Sequence, residues 1–424
     1  VANAFNKEER VAFDQLLEKF DDALVLSRVV SKYETDQVMM ERASDTIWRP
    51  QPYIAQSFSG SDATSNFTDK TQLAVPASID TQRHATLLMT ATEMRDALQE
   101  GRFGQAAAQK LASDINISIM NVAALQGTLV VKRPNPASGF DDVAQCDAIM
   151  NEQGVQMFDR YLALSTRDYN GMANNLSQAS RSFGNSKSDK AYERAYVGMV
   201  AGFDTYKLDY ANRLTAAAGG GSLTISTLVG AANFYTPVST TTTANGLNQT
   251  NRDNRYQTVT ISSTTGVAAG DCFTIGGVNA VHHITKASTG QLKTFRVISV
   301  TNATQMVISP PIISNQGGTA AEAQYQNVSV TPSATAPIVF LNTVTASVNP
   351  FWQSDALEIL PGRLAIPEDA GAAVLRARTD NGLEIVMQKQ FDINTQKTKY
   401  RWDTRYGVVN KQPEMTGIML FSQT

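Results

Sequence analysis

Between residues 221 and 345 the chain carries 23 threonines but only eight charged side chains, namely Arg252, Asp253, Arg255, Asp271, Lys286, Lys293, Arg296 and Glu322. So little charge over so long a stretch, with so many β-branched residues, calls for strands packed about their own core. Five β-rich runs follow one another there: Gln257–Ser262, Asp271–Ile275, Gln291–Val300, Gln305–Ser309 and Ala336–Leu341. Gly266, Gly270, Gly276, Gly277 and Gly290 break them. The pattern predicts a compact all-β module, a small barrel or sandwich, over 223–345. Helix-bearing sequence lies on both sides, so the simplest topology is an insertion into an exposed loop of a host domain. AAAGGG at 216–221 reads as the linker into it.

The host sequence is most legible from Gln105 to Gln126, which holds no proline and no glycine. Leu111, Ile115, Ile119 and Val122 fall at i, i+4, i+8 and i+11, with Ala107, Ala108, Ala112 and Ala123 as small contacts. A helix of this length reaches about 33 Å and can act as the spine of a domain. Residues 6–30 predict a second helix, capped by Asn6 with Glu9 three residues on. Its apolar stripe is Phe13, Leu16, Leu17, Phe20, Leu24 and Val30. That stripe packs on its own domain or reaches another subunit; the expectation is contact outside the domain, with Phe13, Leu17 and Phe20 as anchors. Residues 50–80 hold Pro50, Pro52 and Pro76 in a stretch of Ser, Thr, Asp and Gln too polar for a core, which predicts a long extended two-stranded loop.

From 131 to 220 short helices are expected at 141–151, 155–163 and 188–198, with turns at NGMANN and SFGNSKS. After 350, strands are expected at Leu383–Gln388, Lys399–Val409 and Gly417–Phe421, the second alternating around Tyr400, Trp402 and Tyr406.

Chemistry is thinly represented. Two cysteines, Cys146 and Cys272, exclude a disulfide framework, and both read as buried small hydrophobes. The three histidines include the adjacent pair His282–His283, whose side chains diverge if they lie on a regular strand. The local signatures of nucleotide-binding, zinc-dependent and serine hydrolase sites are all missing. Asp141–Asp142 and Glu368–Asp369 read as solvated turns or helix caps. No catalytic, cofactor-binding or metal residue is predicted, and no cofactor. The net charge of −3 gives no footprint for nucleic acid. No signal peptide or membrane span is expected, and the product reads as a soluble one made in a reducing cytoplasm.

A terminal helix, a long polar loop and an inserted module together suggest a subunit meant for assembly. Several stretches resemble the coat protein of P-22-type short-tailed phages. They are SDTIWRP at 44–50, KLASDIN at 110–116, NVAA at 121–124, AGFD at 201–204, NRDNRYQTVTI at 251–261, and YGVVN at 406–410 with PE at 413–414. They occur in the family's order over nearly the whole chain, and 216–250 departs most. The resemblance implies an α+β, Hong Kong 97-type capsid fold with an inserted all-β barrel domain. It implies an N-terminal arm at 1–35 and a peripheral domain at 36–130, with the extended loop at 50–80 and the spine helix at 105–126. An axial domain at 131–222 and the inserted domain at 223–345 follow, and 346–424 returns to the axial and peripheral domains. The implied function is a major capsid protein, not an enzyme. It assembles in the host bacterial cytoplasm with scaffolding protein into an icosahedral, T=7 procapsid of hexamers and pentamers. A portal protein occupies one vertex, and the shell expands around double-stranded DNA bound without sequence specificity; no membrane is involved. Two other readings fit the residues alone: a non-viral structural or adhesive protein with a Thr-rich β domain, and a glycan-active enzyme with a binding module.

Overall fold

The computed structural model describes residues 5, 7–33, 46–67, 72–90, 93, 97–179, 197–208, 210–219, 223–226, 239–243, 246–250, 253–366, 372–379 and 382–424. The chain divides into two compact units. The first comprises Val1–Ile47, Ala77–Ile119 and Leu357–Val409; the second comprises Trp48–Pro76, Met120–Ala356 and Asn410–Thr424.

The first unit is built on one sheet. Its strands run in the order Ser31–Lys32, Leu357–Pro361, Lys397–Asn410, Glu384–Asp392 and Ala373–Arg378, and Thr81–Thr90 also pairs with Lys397–Asn410. The expected alternation holds: Tyr400, Trp402 and Tyr406 are buried while Arg401 is exposed. Beyond Trp402 both faces are covered. Asp403 is buried there and accepts hydrogen bonds from Gln82 and Gln388 and an ion pair from Arg401 at 2.8 Å.

The terminal helix α1 spans Lys7–Ala23, shorter than the predicted 6–30. Asn116 explains the stop. Its Nδ2 donates to the Ala23 carbonyl at 3.0 Å and its Oδ1 accepts from the Leu26 N–H at 3.3 Å. Those bonds satisfy backbone groups that a helix end leaves open. A 3₁₀ turn at Leu26–Arg28 and the edge strand Ser31–Lys32 follow. The expected cap, Asn6, lies outside the described residues. Glu9, its expected capping partner, is buried instead as the ion-pair partner of Lys389 and accepts the Tyr400 hydroxyl at 2.9 Å. Phe13, Leu16, Phe20 and Leu24 are all buried, and Leu17 is half-buried. Glu9, Phe13 and Leu16 share a small cleft with Leu87, Met387, Tyr400 and Trp402 of the sheet. The stripe is therefore spent on its own unit, and the expected anchoring outside it is corrected: Phe13 and Phe20 have no free surface to offer.

The spine helix α2 runs Ala97–Gln126, eight residues longer at its N-terminus than the glycine-free stretch suggested. Gly101 and Gly104 are carried inside it; a helix tolerates such residues at about 1 kcal/mol each. Leu111, Ile115 and Ile119 are buried as expected, and Val122 is half-buried.

The second unit holds a six-stranded sheet in the order Leu129–Lys132, Thr416–Leu420, Asn349–Gln353, Arg160–Ser165, Phe203–Leu208 and Met199–Val200. The final strand does more than close the sheet. It lies between Leu129–Lys132, to which it is parallel, and Asn349–Gln353, to which it is antiparallel. Helix α3, Phe140–Gln153, matches the expected 141–151. The expected helix at 155–163 is a loop followed by the strand Arg160–Ser165, because the run Tyr161–Leu164 is paired along both edges by Asn349–Gln353 and Phe203–Leu208 and Leu162–Leu164 is buried on both faces. Helix α4, Thr166–Ala179, contains the NGMANN stretch that read as a turn. Met172 and Ala173 in it are buried in the core with Tyr169, Leu162 and Phe203, and this burial outweighs the low helix propensity of Gly and Asn. The expected helix at 188–198 and the turn SFGNSKS lie almost wholly outside the described residues.

The predicted β-rich runs form a five-stranded sheet in the order Gln257–Thr260, Gln305–Ser309, Ser288–Val300, Cys272–Val281 and Ile338–Phe340. A short segment at 223–226 closes it. Ser226 N–H donates to Thr260 on one edge and Ile338 N–H to Leu223 on the other, and Ile225 faces both Ile261 and Ala336. Closure removes two free strand edges. Inside lie Phe273, Phe295, Val297, Met306, Ile308 and Val328, with the Phe273 and Phe295 rings stacked 5.6 Å apart. Helix α5, Ala320–Tyr325, follows the last long strand.

Candidate functional site

The long loop is anchored at its stem and open at its apex. Ile47–Pro50 pairs with Ala74–Ala77, so only the stem of the expected two-stranded loop is a ladder. Gln51 N–H donates to the Leu73 carbonyl, and the Gln51 amide donates to Lys411 O at 3.0 Å. Asn254 and Ala74 exchange two hydrogen bonds, and Gln56 donates to Ala320 O at 3.2 Å. At the apex the Asp62 carboxylate accepts from both the N–H and hydroxyl of Thr64, which holds it below its ordinary range. Asn66 N–H closes a turn on Ala63. Phe58 is 55% and Phe67 85% exposed. Asp69 and Lys70, which the sequence offers together with Asp62 as candidates for salt bridges to a neighbouring subunit, lie outside the described residues.

Barrel strands and neighbouring elements of the second unit meet at a buried polar junction. Lys293, 1% exposed, donates from Nζ to Glu414 Oε1 at 2.5 Å and to Gln153 Oε1 at 2.8 Å. Asn327 Nδ2 donates to the same Glu414 oxygen at 3.2 Å, and His283 Nε2 stands 3.5 Å from Glu414 Oε2. Burial alone would raise the Glu414 carboxyl, but Lys293, His283 and Asn327 outweigh it and hold it below its ordinary value. Burial, with Lys293 nearby, pushes the His283 imidazole down to about 4, against the opposing pull of Glu414. Arg296, fully buried, donates to the Ala124 carbonyl at 2.8 Å and to Gly127 O at 3.3 Å, so it caps the end of α2. Arg255 is clamped by Asp253 at 2.8 Å, donates to Asn410 O at 3.1 Å and lies over the Tyr256 ring. Each of these cations ties a barrel residue to the spine end or the C-terminal segment. In the sequence Lys293, Arg296 and Arg255 stand out only as rare charges in a nearly uncharged stretch, and that rarity is the signal that marks them.

The residues weighed for chemistry are scattered. His282 and His283 lie just past the strand Cys272–Val281, not within it. His282 Nδ1 accepts from the Ile284 and Thr285 N–H groups, while His283 turns toward Glu414. Cys146 and Cys272 are fully buried, and burial raises both thiols, Cys272 to about 11. Of the two expected roles, solvated turn or helix cap, Asp142 takes the helix cap. It is buried, pairs with Arg133 at 2.6 Å and accepts from the Ser138 and Gly139 N–H groups at the start of α3. Glu368 and Asp369 lie outside the described residues. Among the described residues no group of His, Cys, Asp or Glu is placed to hold a metal ion, and no helix is long and apolar enough to cross a membrane.

Among solved structures, the chain is similar to one from Mycobacterium phage Che8, at 11% identity, covering 93% of this chain and 90% of that one with a TM-score of 0.42. It is similar to the CUS-3 coat protein I-domain at 38% identity, covering 30% of this chain and 99% of that one with a TM-score of 0.23. A third similar structure is a Helicobacter pylori bacteriophage KHP30 capsid, at 10% identity, covering 93% of this chain and 88% of that one with a TM-score of 0.40. The family model for P22 coat protein, gene protein 5, matches residues 1–422. With that match running through the anchored loop, the spine helix, the barrel and the C-terminal strand alike, the chain belongs to the P22 coat protein family.

Proposed function

We propose that this chain is the major capsid subunit of a tailed phage. With scaffolding protein it builds a T=7 procapsid of hexamers and pentamers, with a portal at one vertex, which expands to a mature shell around double-stranded DNA. The observation that supports this reading beyond family membership is the loop: hydrogen bonds hold its stem and lower arm, while Phe58 and Phe67 beyond them are 55% and 85% exposed. Large exposed apolar groups on an ordered scaffold mark a contact surface. The domain roles follow the resemblance: arm, peripheral and axial domains, and an insertion that stiffens the subunit through Lys293, Arg296 and Arg255. Closed shells form faithfully when each contact is weak, and exposed ion pairs such as those Asp62 can make are weak because solvent screens them. Expansion needs two packings a few kcal/mol apart.

Electron microscopy of the purified protein, alone and with scaffolding protein, tests the reading. Closed particles of uniform size are expected with the scaffold; small monodisperse oligomers under all conditions refute it.

A further inference from the structure

We propose that a cavity beside the loop stem binds a small neutral aromatic molecule carrying an N–H or hydroxyl donor, an indole or a phenol, with the donor directed at Glu414. The site lies wholly within the second unit and needs no assembled shell.

The cavity holds about 380 Å³, a size that takes small organic molecules. Its wall is of two kinds. Leu73, Pro310, Pro311, Ile313 and Tyr325 offer apolar and flat surface on which a ring packs. The rest is polar and includes Arg255, His283, Gln412 and Glu414. The charges there are already matched. Lys293 answers Glu414 at 2.5 Å and Asp253 answers Arg255 at 2.8 Å. Burial pushes the His283 imidazole down to about 4, so the ring is neutral at pH 7. A further ion finds no unmatched counter-charge in this wall, and a neutral molecule suits it. What is left over is acceptor capacity. Glu414 Oε1 takes both Lys293 and Asn327, while Oε2 accepts no hydrogen bond among the described residues and has His283 Nε2 only at 3.5 Å. The Gln412 side-chain oxygen is buried without a hydrogen-bond partner. An N–H or O–H on the ligand supplies the missing donor, and hydrogen bonds to a charged acceptor are the stronger kind. Tyr53 and Ile284 belong to the same lining and are 51% and 68% exposed, so the cavity opens to solvent and a ligand enters without unfolding the unit. Loop stem, barrel and C-terminal segment all contribute to the wall, so a bound molecule ties them together and stabilises the folded unit by linkage.

Indole titrated into the unassembled full-length chain tests the site. Saturable binding with half-saturation below about 1 mM is expected by saturation-transfer NMR, with a melting temperature that rises with occupancy. N-methylindole keeps the ring and loses the donor, and it is expected to bind at least about tenfold more weakly. Photolysis of bound azidoindole is expected to label peptides that hold 51–55, 310–313 or 412–415, and excess indole is expected to suppress the label. Ala55→Trp, at an exposed lining position, is expected to fill the cavity and abolish binding while the melt of the free protein stays unchanged. No saturation up to about 5 mM indole overturns the proposal. So does labelling confined to other peptides, or N-methylindole binding as tightly as indole. Binding retained by a folded Ala55→Trp chain overturns it as well; if that variant misfolds, the label on the wild-type chain decides.

Discussion

Lys293→Met isolates the buried junction. The substitution keeps most of the side-chain volume and removes the charge that Glu414 meets at 2.5 Å. Glu414 is then left with Asn327 at 3.2 Å and a distant His283, and Gln153 loses its donor at 2.8 Å. Removing one partner of a buried pair costs about 3–5 kcal/mol because the other charge stays desolvated. For a cooperative unit of this size that lowers the melting temperature by roughly 5–9 °C. The orphaned carboxylate escapes by taking a proton, so the deficit shrinks as the pH drops from 7.5 to 5. Adding Glu414→Leu removes the stranded charge, and the double variant recovers most of the loss, since an apolar replacement of a buried pair is often neutral. Thermal and denaturant unfolding of unassembled protein, followed by circular dichroism at both pH values, reads these quantities. A single variant within about 1 kcal/mol of wild type, or a double variant as unstable as the sum of its parts, refutes the claim that this pair holds the barrel to the C-terminal segment.

Ile115 is fully buried on the spine helix, so Ile115→Ala costs about 2–5 kcal/mol in denaturant unfolding. Arg296→Lys is not conservative, because one ammonium cannot reproduce the guanidinium's bonds to Ala124 and Gly127, and a loss of about 1–3 kcal/mol is expected by the same assay. Acid weakens the second unit in two stages. Between about pH 6.5 and 4 the unfolded chain protonates His283 while the folded one does not, so stability falls; Glu414, held low in the fold, adds its loss below its unfolded value, and melts across pH 7 to 3.5 read both. Deleting residues 1–30 exposes the sheet surface under Phe13, Leu16 and Phe20 and is expected to give insoluble chain; a soluble, folded product shows that α1 is not part of the first unit's core.

What is local was legible in the sequence. The stripe of Leu111, Ile115 and Ile119 follows from helical periodicity, and the alternation through Tyr400 and Trp402 follows from the pleat; each predicts its own buried face without knowing what covers it. The barrel runs were found for the same reason, since low charge and β-branching over a hundred residues leave few other solutions. What depends on a distant partner was decided by the tertiary structure. Tyr161–Leu164 is a strand because the strands beginning at Asn349 and Phe203 flank it, and NGMANN is helical because Met172 meets the core. The end of α1 is set by Asn116, 93 residues beyond Ala23, and its stripe faces inward because Tyr400 and Met387 arrive beneath it. Lys293 and Glu414 lie 121 residues apart; the rarity of charge around Lys293 marks it out, but nothing near either residue names the other as its partner. A charge announces its partner only when folding removes the water between them, and that event leaves no local pattern to read.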